Sequence, residues 1–453
     1  MMLSRRGLLA GALLLPTVAR AQSAREGWTR IEARPDGLRL LAEPAPQTPV
    51  WTYEGKVPGP VLRIRKGEEL RVQFVNHLSQ PSSLHVHGMR GPNAMDGVAG
   101  LTQVAIPPQG NIDYRVTPPD AGTYWYRPGI YPQLAEQKGR GLYGLLIVDE
   151  ASPPPVDREI LLVLDDWLLD DKGEPRPFLG ATETRGEGRI GSLVTVNSRP
   201  LPQVERINPG SRVRVRILHA CNARLAGLVF EGLRPSVVAV DGQPCTPFEP
   251  ARMTLPASPG SRFDVIFDVP ATGPSGIVLR AGGLRTAATQ EQPQPLLRVE
   301  PEGPPLPDRG PVTGPALNPA LPPIIKLQDA RRLDIAIEQR KEGDPLRAWS
   351  LNGTSWPGAD SKPLLAVKRG QPVSLGFVNR TEVAHVLHLH GHVMRLLHPL
   401  DDGWEPYWRD SVIVPPGRTV RVAFLADNPG RWLIESAILE HAASGLAGWF
   451  EVS

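Results

Sequence analysis

Cysteine is almost missing from this chain: Cys221 and Cys245 are the only two in 453 residues. At most one disulfide can form, and spacing alone does not decide whether the two meet. Both fall in the middle third, away from most of the histidines. Aromatic residues are sparse, at 6%. No Lys/Arg cluster alternates with exposed aromatics, so nucleic-acid binding has no support. Charge of one sign does not accumulate; the formal net charge is +3. Long apolar runs are missing as well. The run from Gly7 to Val18 is too short to span a bilayer and nothing later is long enough, so no transmembrane segment is expected.

Proline and glycine are plentiful, with 51 and 45 residues. That favours many short strands and turns over long helices. The length suffices for about two to four domains. At the N-terminus, Ser4-Arg5-Arg6 precedes the apolar run, and Ala19-Arg20-Ala21 is a small-x-small cleavage site. Residues 1–21 therefore read as an export signal, with the mature chain from about Gln22. Paired arginines before Gly7-Leu8-Leu9 resemble a twin-arginine signal and imply a periplasmic protein. An ordinary secretory signal holding two arginines is the plainer alternative.

Histidine is concentrated. The stretch His385-Val-Leu-His388-Leu-His390-Gly-His392 carries four of the ten histidines, and His85-Val-His87-Gly88 carries two more. Residues i and i+2 of a strand share a face, so each His-x-His aims two imidazoles at one spot. Imidazole is the commonest protein ligand for copper and other transition metals. Two polar strands with chance histidines would not repeat the spacing at matching places in two parts of the chain.

The matching places belong to an internal repeat. Gly67 to Asn76, Gly210 to His219 and Gly370 to Asn379 each open on a turn glycine and alternate apolar and polar residues. Asn76 to His85 and Asn379 to His388 are the same distance apart in sequence. Ala121-Gly122-Thr-Tyr-Trp-Tyr-Arg127 parallels Pro429-Gly430-Arg-Trp-Leu-Ile-Glu435. The middle copy lacks the histidines. The expected fold is all-β, with three Greek-key β-sandwich domains over residues 22–150, 151–302 and 325–453, and a Pro-rich linker over 303–324. The outer two domains would bring their histidines together.

These motifs, with Asn93-Ala-Met-Asp96-Gly97, Gly139-Arg-Gly-Leu-Tyr-Gly144 and Val240-Asp241-Gly242, resemble the multicopper oxidases, built from three cupredoxin domains. In that family a type 1 copper takes electrons from substrate and passes them to a trinuclear cluster that reduces oxygen. Carried over, the resemblance makes His85 and His388 the type 2 ligands. His87 and His390 are what remains of six type 3 ligands, and His385 and His441 of the type 1 site. The family's second His-x-His is replaced by Arg127-Pro128-Gly129, and its His-Cys-His by Glu435-Ser436-Ala437. Leu446 stands at the axial methionine position. A serine hydroxyl cannot supply the Cu–thiolate bond on which blue-copper electron transfer rests.

From these replacements Arg127 and Glu435, at equal offsets in their repeats, are expected to meet as an ion pair in the former cluster, beside neutral His87 and His390. The competing expectation is a residual metal on His85, His388, His390 and Glu435, a set suited to copper, zinc or iron. Asp96 matches an acidic residue that in the family supports proton delivery; its plainer role is to hold the turn at Gly97. His392 is read as supporting a ligand rather than being one. His77, His219 and His398 are read as surface or satisfied histidines, and Trp125, Trp432 and Trp449 as core. The functional expectation is a periplasmic, monomeric homologue without four-copper oxidase activity, serving a structural or interaction role with an unidentified protein partner. The alternative is a copper-binding oxidoreductase with one mononuclear site near the type 2 position. Copper in a partial set, or no cofactor, are both compatible with the residues.

Overall fold

Short alternating segments between glycine turns build sheets here, not helices. The computed structural model describes residues 27–281, 292–356, 360–398 and 403–453, so the expected export signal lies outside the described residues. Helices among them are brief: Leu134–Gly139, Ala181–Arg185 and Leu439–Ala443 are the α-helical ones. Among the described residues no helix is long and apolar enough to cross a membrane.

Among the described residues six sheets fall into three pairs along the chain. The three glycine-led strands occupy the same place in each pair. Leu70–Asn76 runs parallel to Thr29–Leu38, Arg212–His219 to Arg158–Trp167, and Gln371–Asn379 to Arg331–Gln339. Each pair closes on its own apolar layer. Phe74, Tyr126 and Val148 belong to the first, Val215, Phe267 and Leu279 to the second, and Phe377, Trp432 and Phe450 to the third. Stacking two sheets over interdigitated inward side chains is the packing expected of cupredoxin-like sandwiches.

The second sheet of the outer pairs carries the histidines. In the first, His85–His87 lies on Gly122–Arg127, which lies on Gly144–Asp149. In the third, His385–Leu389 lies on Gly430–Ser436, which lies on Ala447–Val452. Trp125, Trp432 and Trp449 are buried in these strands. The segment 303–324 forms no strand but is pinned: Asn318 Nδ2 donates to Asp120 Oδ1 at 2.7 Å and to Gln243 Oε1 at 2.9 Å. Cys221 and Cys245 are both buried and free.

Candidate metal centre

Antiparallel register decides which side chains share the site, because directly opposed residues point to the same face. His85 is opposed by Arg127 and His87 by Trp125. On the third pair His388 is opposed by Glu435 and Leu387 by Ser436. Arg127 therefore joins His85 and His87, Glu435 joins His388 and His390, and Ser436 joins His385 on the opposite face.

Arg127 and Glu435 form an ion pair with both side chains only 1% exposed. Arg127 Nη1 also donates to the Pro128 carbonyl at 2.9 Å. Tyr131 donates its hydroxyl to the other oxygen of Glu435. His390 completes the group, donating Nε2–H to Glu435 at 3.0 Å and Nδ1–H to Asp96 at 3.0 Å. Both ring nitrogens face carboxylates, so the ring is an imidazolium. Burial pushes its pKa down, but Asp96 and Glu435 outweigh burial and lift it to about 9. Burial likewise favours the neutral acids, yet Arg127 and His390 hold Glu435 well below the usual carboxylate range, and His390 and His85 hold Asp96 low. The result is a charge-balanced tetrad: Asp96 and Glu435 negative, Arg127 and His390 positive. This corrects the expectation of a neutral His390; a second carboxylate, Asp96, is what keeps it charged.

The residual set expected from sequence divides in two. His390 and Glu435 are occupied by the tetrad. His85, His87 and His388 instead gather ligand atoms within 4.8 Å of one another, with all three rings buried. His85 Nδ1 donates to the Asp96 carbonyl at 2.7 Å, and His388 Nδ1 to the Asp410 carbonyl at 3.0 Å. A carbonyl can only accept, so each Nε2 carries a free lone pair, and neither Nε2 has a partner. His87 has no hydrogen bond at either nitrogen. Its Nε2 lies 3.6 Å from Asp410 Oδ1, which leaves Nδ1 for a ligand. Burial first, then the neighbouring His390 charge, lowers His85 to about 4; burial also depresses His87 and His388. All three rings are neutral at pH 7, as metal ligation requires. Buried nitrogens without partners are costly unless something fills the space between them. One metal ion fits this donor set.

The family's type 3 copper pair does not. Besides the tetrad, the Gly129 backbone has closed on His85: a Cβ there would lie 2.8 Å from the Gly97 carbonyl and 3.0 Å from the His85 Cβ. Ala437 packs with Ala223, Leu225 and Val386 in an apolar cluster. The type 1 position is also changed. His385 and His441 face each other through Nδ1 atoms 3.1 Å apart. His441 Nε2 donates to the Gly186 carbonyl at 2.8 Å, and the Thr381 hydroxyl, which donates to Asn379 Oδ1 at 2.7 Å, lies 3.0 Å from His385 Nε2. Ser436 Oγ accepts from the Ile438 N–H at 3.1 Å. Leu446 is buried in the third core.

His392 sits one layer out, its Nδ1 donating to the His390 carbonyl at 3.2 Å and its ring against Phe424 and Phe450. His77 is half-buried and bonded to Gln109, and His398 is exposed. His219 differs from expectation: it is buried, and neither ring nitrogen has a hydrogen-bond partner. Sequence reading also missed Asp410, Arg262 and Tyr131. Asp410 touches His87 and His388, yet stands 18 residues past His392 with no histidine near it; only the Val240-Asp241-Gly242 marker hinted that the middle repeat reaches the site.

The charged state of His390 makes stability depend on pH. Its pKa is about 6.5 in an unfolded chain and about 9 in the fold. A group raised on folding stabilises fully below its unfolded pKa and loses that contribution as pH rises through the folded value, here about 3 kcal/mol. Unfolding free energy is therefore expected to fall between about pH 6.5 and 9, and His390→Gln to flatten that slope. Identical slopes in urea titrations of the two proteins would reject the imidazolium.

Comparison with known proteins agrees with this geometry. Family models described as multicopper oxidase match residues 40–153 and 325–453, the two histidine-bearing regions. The crystal structure of a multi-copper oxidase from Pseudomonas thermotolerans superposes with a TM-score of 0.82 at 31% identity, covering 94% of this chain and 99% of that one. Lac15 from a marine microbial metagenome gives a TM-score of 0.74, also at 31% identity, over 93% and 99% of the two chains. Multicopper oxidase MmcO of Mycobacterium tuberculosis is 28% identical over 97% of this chain and 90% of its own length. The likeness runs through the middle sheets, which give no histidine to the centre, as well as the outer ones, and on it the chain belongs to the multicopper oxidase family.

Proposed function

We propose that this protein binds a single copper ion on His85, His87 and His388 and does not carry out the four-electron reduction of oxygen. The observation that carries the reading is the set of three buried imidazoles whose ligand atoms lie within 4.8 Å of one another and whose free nitrogens have no protein partner. Three neutral imidazoles suit copper and also zinc; copper is favoured by the family. Copper bound there would supply a one-electron centre and a Lewis acid. The chain's own residues do the rest: the Asp96 and Asp410 carbonyls fix the tautomers of His85 and His388, and the tetrad keeps a second and third ion out by filling their place with balanced charge. Loss of oxygen reduction rests on Arg127, Gly129, Glu435, Ser436 and Ala437 standing where the family has ligands. The export signal over residues 1–21 supports a periplasmic setting, where copper handling or a role in a protein assembly would take place.

Metal analysis of protein purified from the periplasm after copper supplementation is expected to give one copper per chain. Its electron paramagnetic resonance spectrum should lack the narrow hyperfine pattern of a thiolate-bound copper. His85→Ala and His388→Ala should each lower affinity at least about 10-fold. Three or four coppers, a blue band in the wild type, or copper uptake indifferent to both substitutions would overturn the reading.

A further inference from the structure

The middle pair of sheets contributes no histidine to the centre, yet it reaches in through one side chain. Arg262 begins the strand Arg262–Asp268 and is completely buried. Its guanidinium donates to four acceptors in three parts of the chain. Nε bonds the Thr123 carbonyl at 3.2 Å and Nη1 the Gly260 carbonyl at 2.8 Å. Nη1 and Nη2 grip the Asp410 carboxylate at 3.2 and 2.5 Å. Asp241, also from the middle sheets, accepts from the backbone N–H of both Arg262 and Asp410, at 3.0 and 3.1 Å.

Asp410 is thus fixed at its peptide and at its carboxylate. It stands behind two of the three candidate ligands: Oδ1 is 3.3 Å from His388 Nδ1 and 3.6 Å from His87 Nε2, and its carbonyl takes the His388 proton. Glycine makes the room. A Cβ on Gly88 would collide with Arg262 and Asp410, and one on Gly260 would lie 3.0 Å from the His87 ring. A carboxylate behind a ligating imidazole raises the ligand's basicity and orients it. A guanidinium on that carboxylate draws the charge away.

We propose that Arg262 and Asp410 are positioning residues of opposite sign for the copper site: Asp410 strengthens metal binding through His87 and His388, and Arg262 restrains it. The inference rests on the three-histidine reading above. It makes the middle sheets the regulator of a site to which they give no ligand. Through Arg262, any change in their packing against the outer sheets alters the field at the metal.

The test is competitive titration with a chelator for Cu(I) and Cu(II), with apo-protein melting alongside. Asp410→Asn is expected to weaken copper binding about 10–100-fold, the range for groups that support a metal ligand. Arg262→Gln is expected to lower the apo melting temperature but to tighten copper about 10-fold, because the metal relieves the carboxylate left unpaired. Copper should then raise the melting temperature more in Arg262→Gln than in wild type. Arg262→Lys keeps a charge with fewer hydrogen bonds, and serves if the glutamine protein does not fold; it should bind copper about 2–5-fold more tightly than wild type. Affinity falling in both the Asp410 and Arg262 variants, or unchanged in both, would overturn the proposal and leave the pair as structural glue. Should His85→Ala and His388→Ala leave copper binding intact, it is the three-histidine reading that fails.

Discussion

Arg127→Ala is expected to lose about 3–5 kcal/mol of stability, the cost of stranding a buried charge. Glu435 would then rest on His390 and Tyr131 alone, and the tetrad would carry a net negative charge in a site closed to solvent. Glu435→Gln should cost less. His390 can shed its proton once one of its two carboxylates is gone, leaving Arg127 and Asp96 to balance each other. Arginine has no such escape at any accessible pH. The double change Arg127→Ala with Glu435→Gln leaves the Asp96–His390 pair and should recover part of the loss. Chemical denaturation of the three variants settles the order. A double variant less stable than Arg127→Ala would show that the two residues contribute through packing rather than charge. Copper adds a second readout. If Glu435 were a metal ligand, Glu435→Gln would weaken copper and Arg127→Ala would strengthen it; with the tetrad intact and separate, neither should move copper affinity as far as His388→Ala.

Ser436→Cys is expected to turn a colourless position into a strongly absorbing one. Leu387 opposes Ser436, and His385 is two residues from Leu387 on the same face. Position 436 is therefore a diagonal neighbour of His385, and His385 already faces His441 at 3.1 Å between nitrogens. A thiolate there would complete two imidazoles and a sulfur, with Leu446 leaving the axial position empty. Copper-loaded Ser436→Cys should show intense thiolate-to-copper absorption in the visible, and the wild type none. The affinity of His441 for its present partner, the Gly186 carbonyl, is not in competition, since that bond uses Nε2. A Ser436→Cys protein that takes up a further copper without the band would show that sulfur and imidazoles do not converge.

The glycine-led strands were legible because apolar and polar side chains alternate along them, a pattern of period two that holds even in Arg212–His219, which is buried on both faces. The repeat then placed His85 against His388 before any contact was known, and the equal offsets of Arg127 and Glu435 predicted their meeting. What could not be read was the charge of His390. That depends on Asp96 arriving from the far side of the ring, a contact 294 residues apart in sequence. Asp410 and Arg262 were hidden for the same reason. Each looks like an ordinary strand residue, and their meaning comes from three sheets converging on one point. The sequence also suggested one residual site where the structure divides the residues between an imidazole trio and a charged tetrad. Side-chain types do not say which carboxylate an imidazole will choose.

The ion pair of Arg127 and Glu435 has a consequence for the history this chain can still have. Suppose a single substitution restores histidine at position 435. Arg127 then keeps its charge and loses its partner, and His390 must give up its proton for Arg127 and Asp96 to balance. A histidine at 127 alone abandons Glu435 instead. Either first step passes through a less stable protein that still lacks most ligands of a copper pair, so the family's ligand set is closed to one change at a time. Two complementary charges, buried together, act as a ratchet: easy to keep, and costly to undo singly.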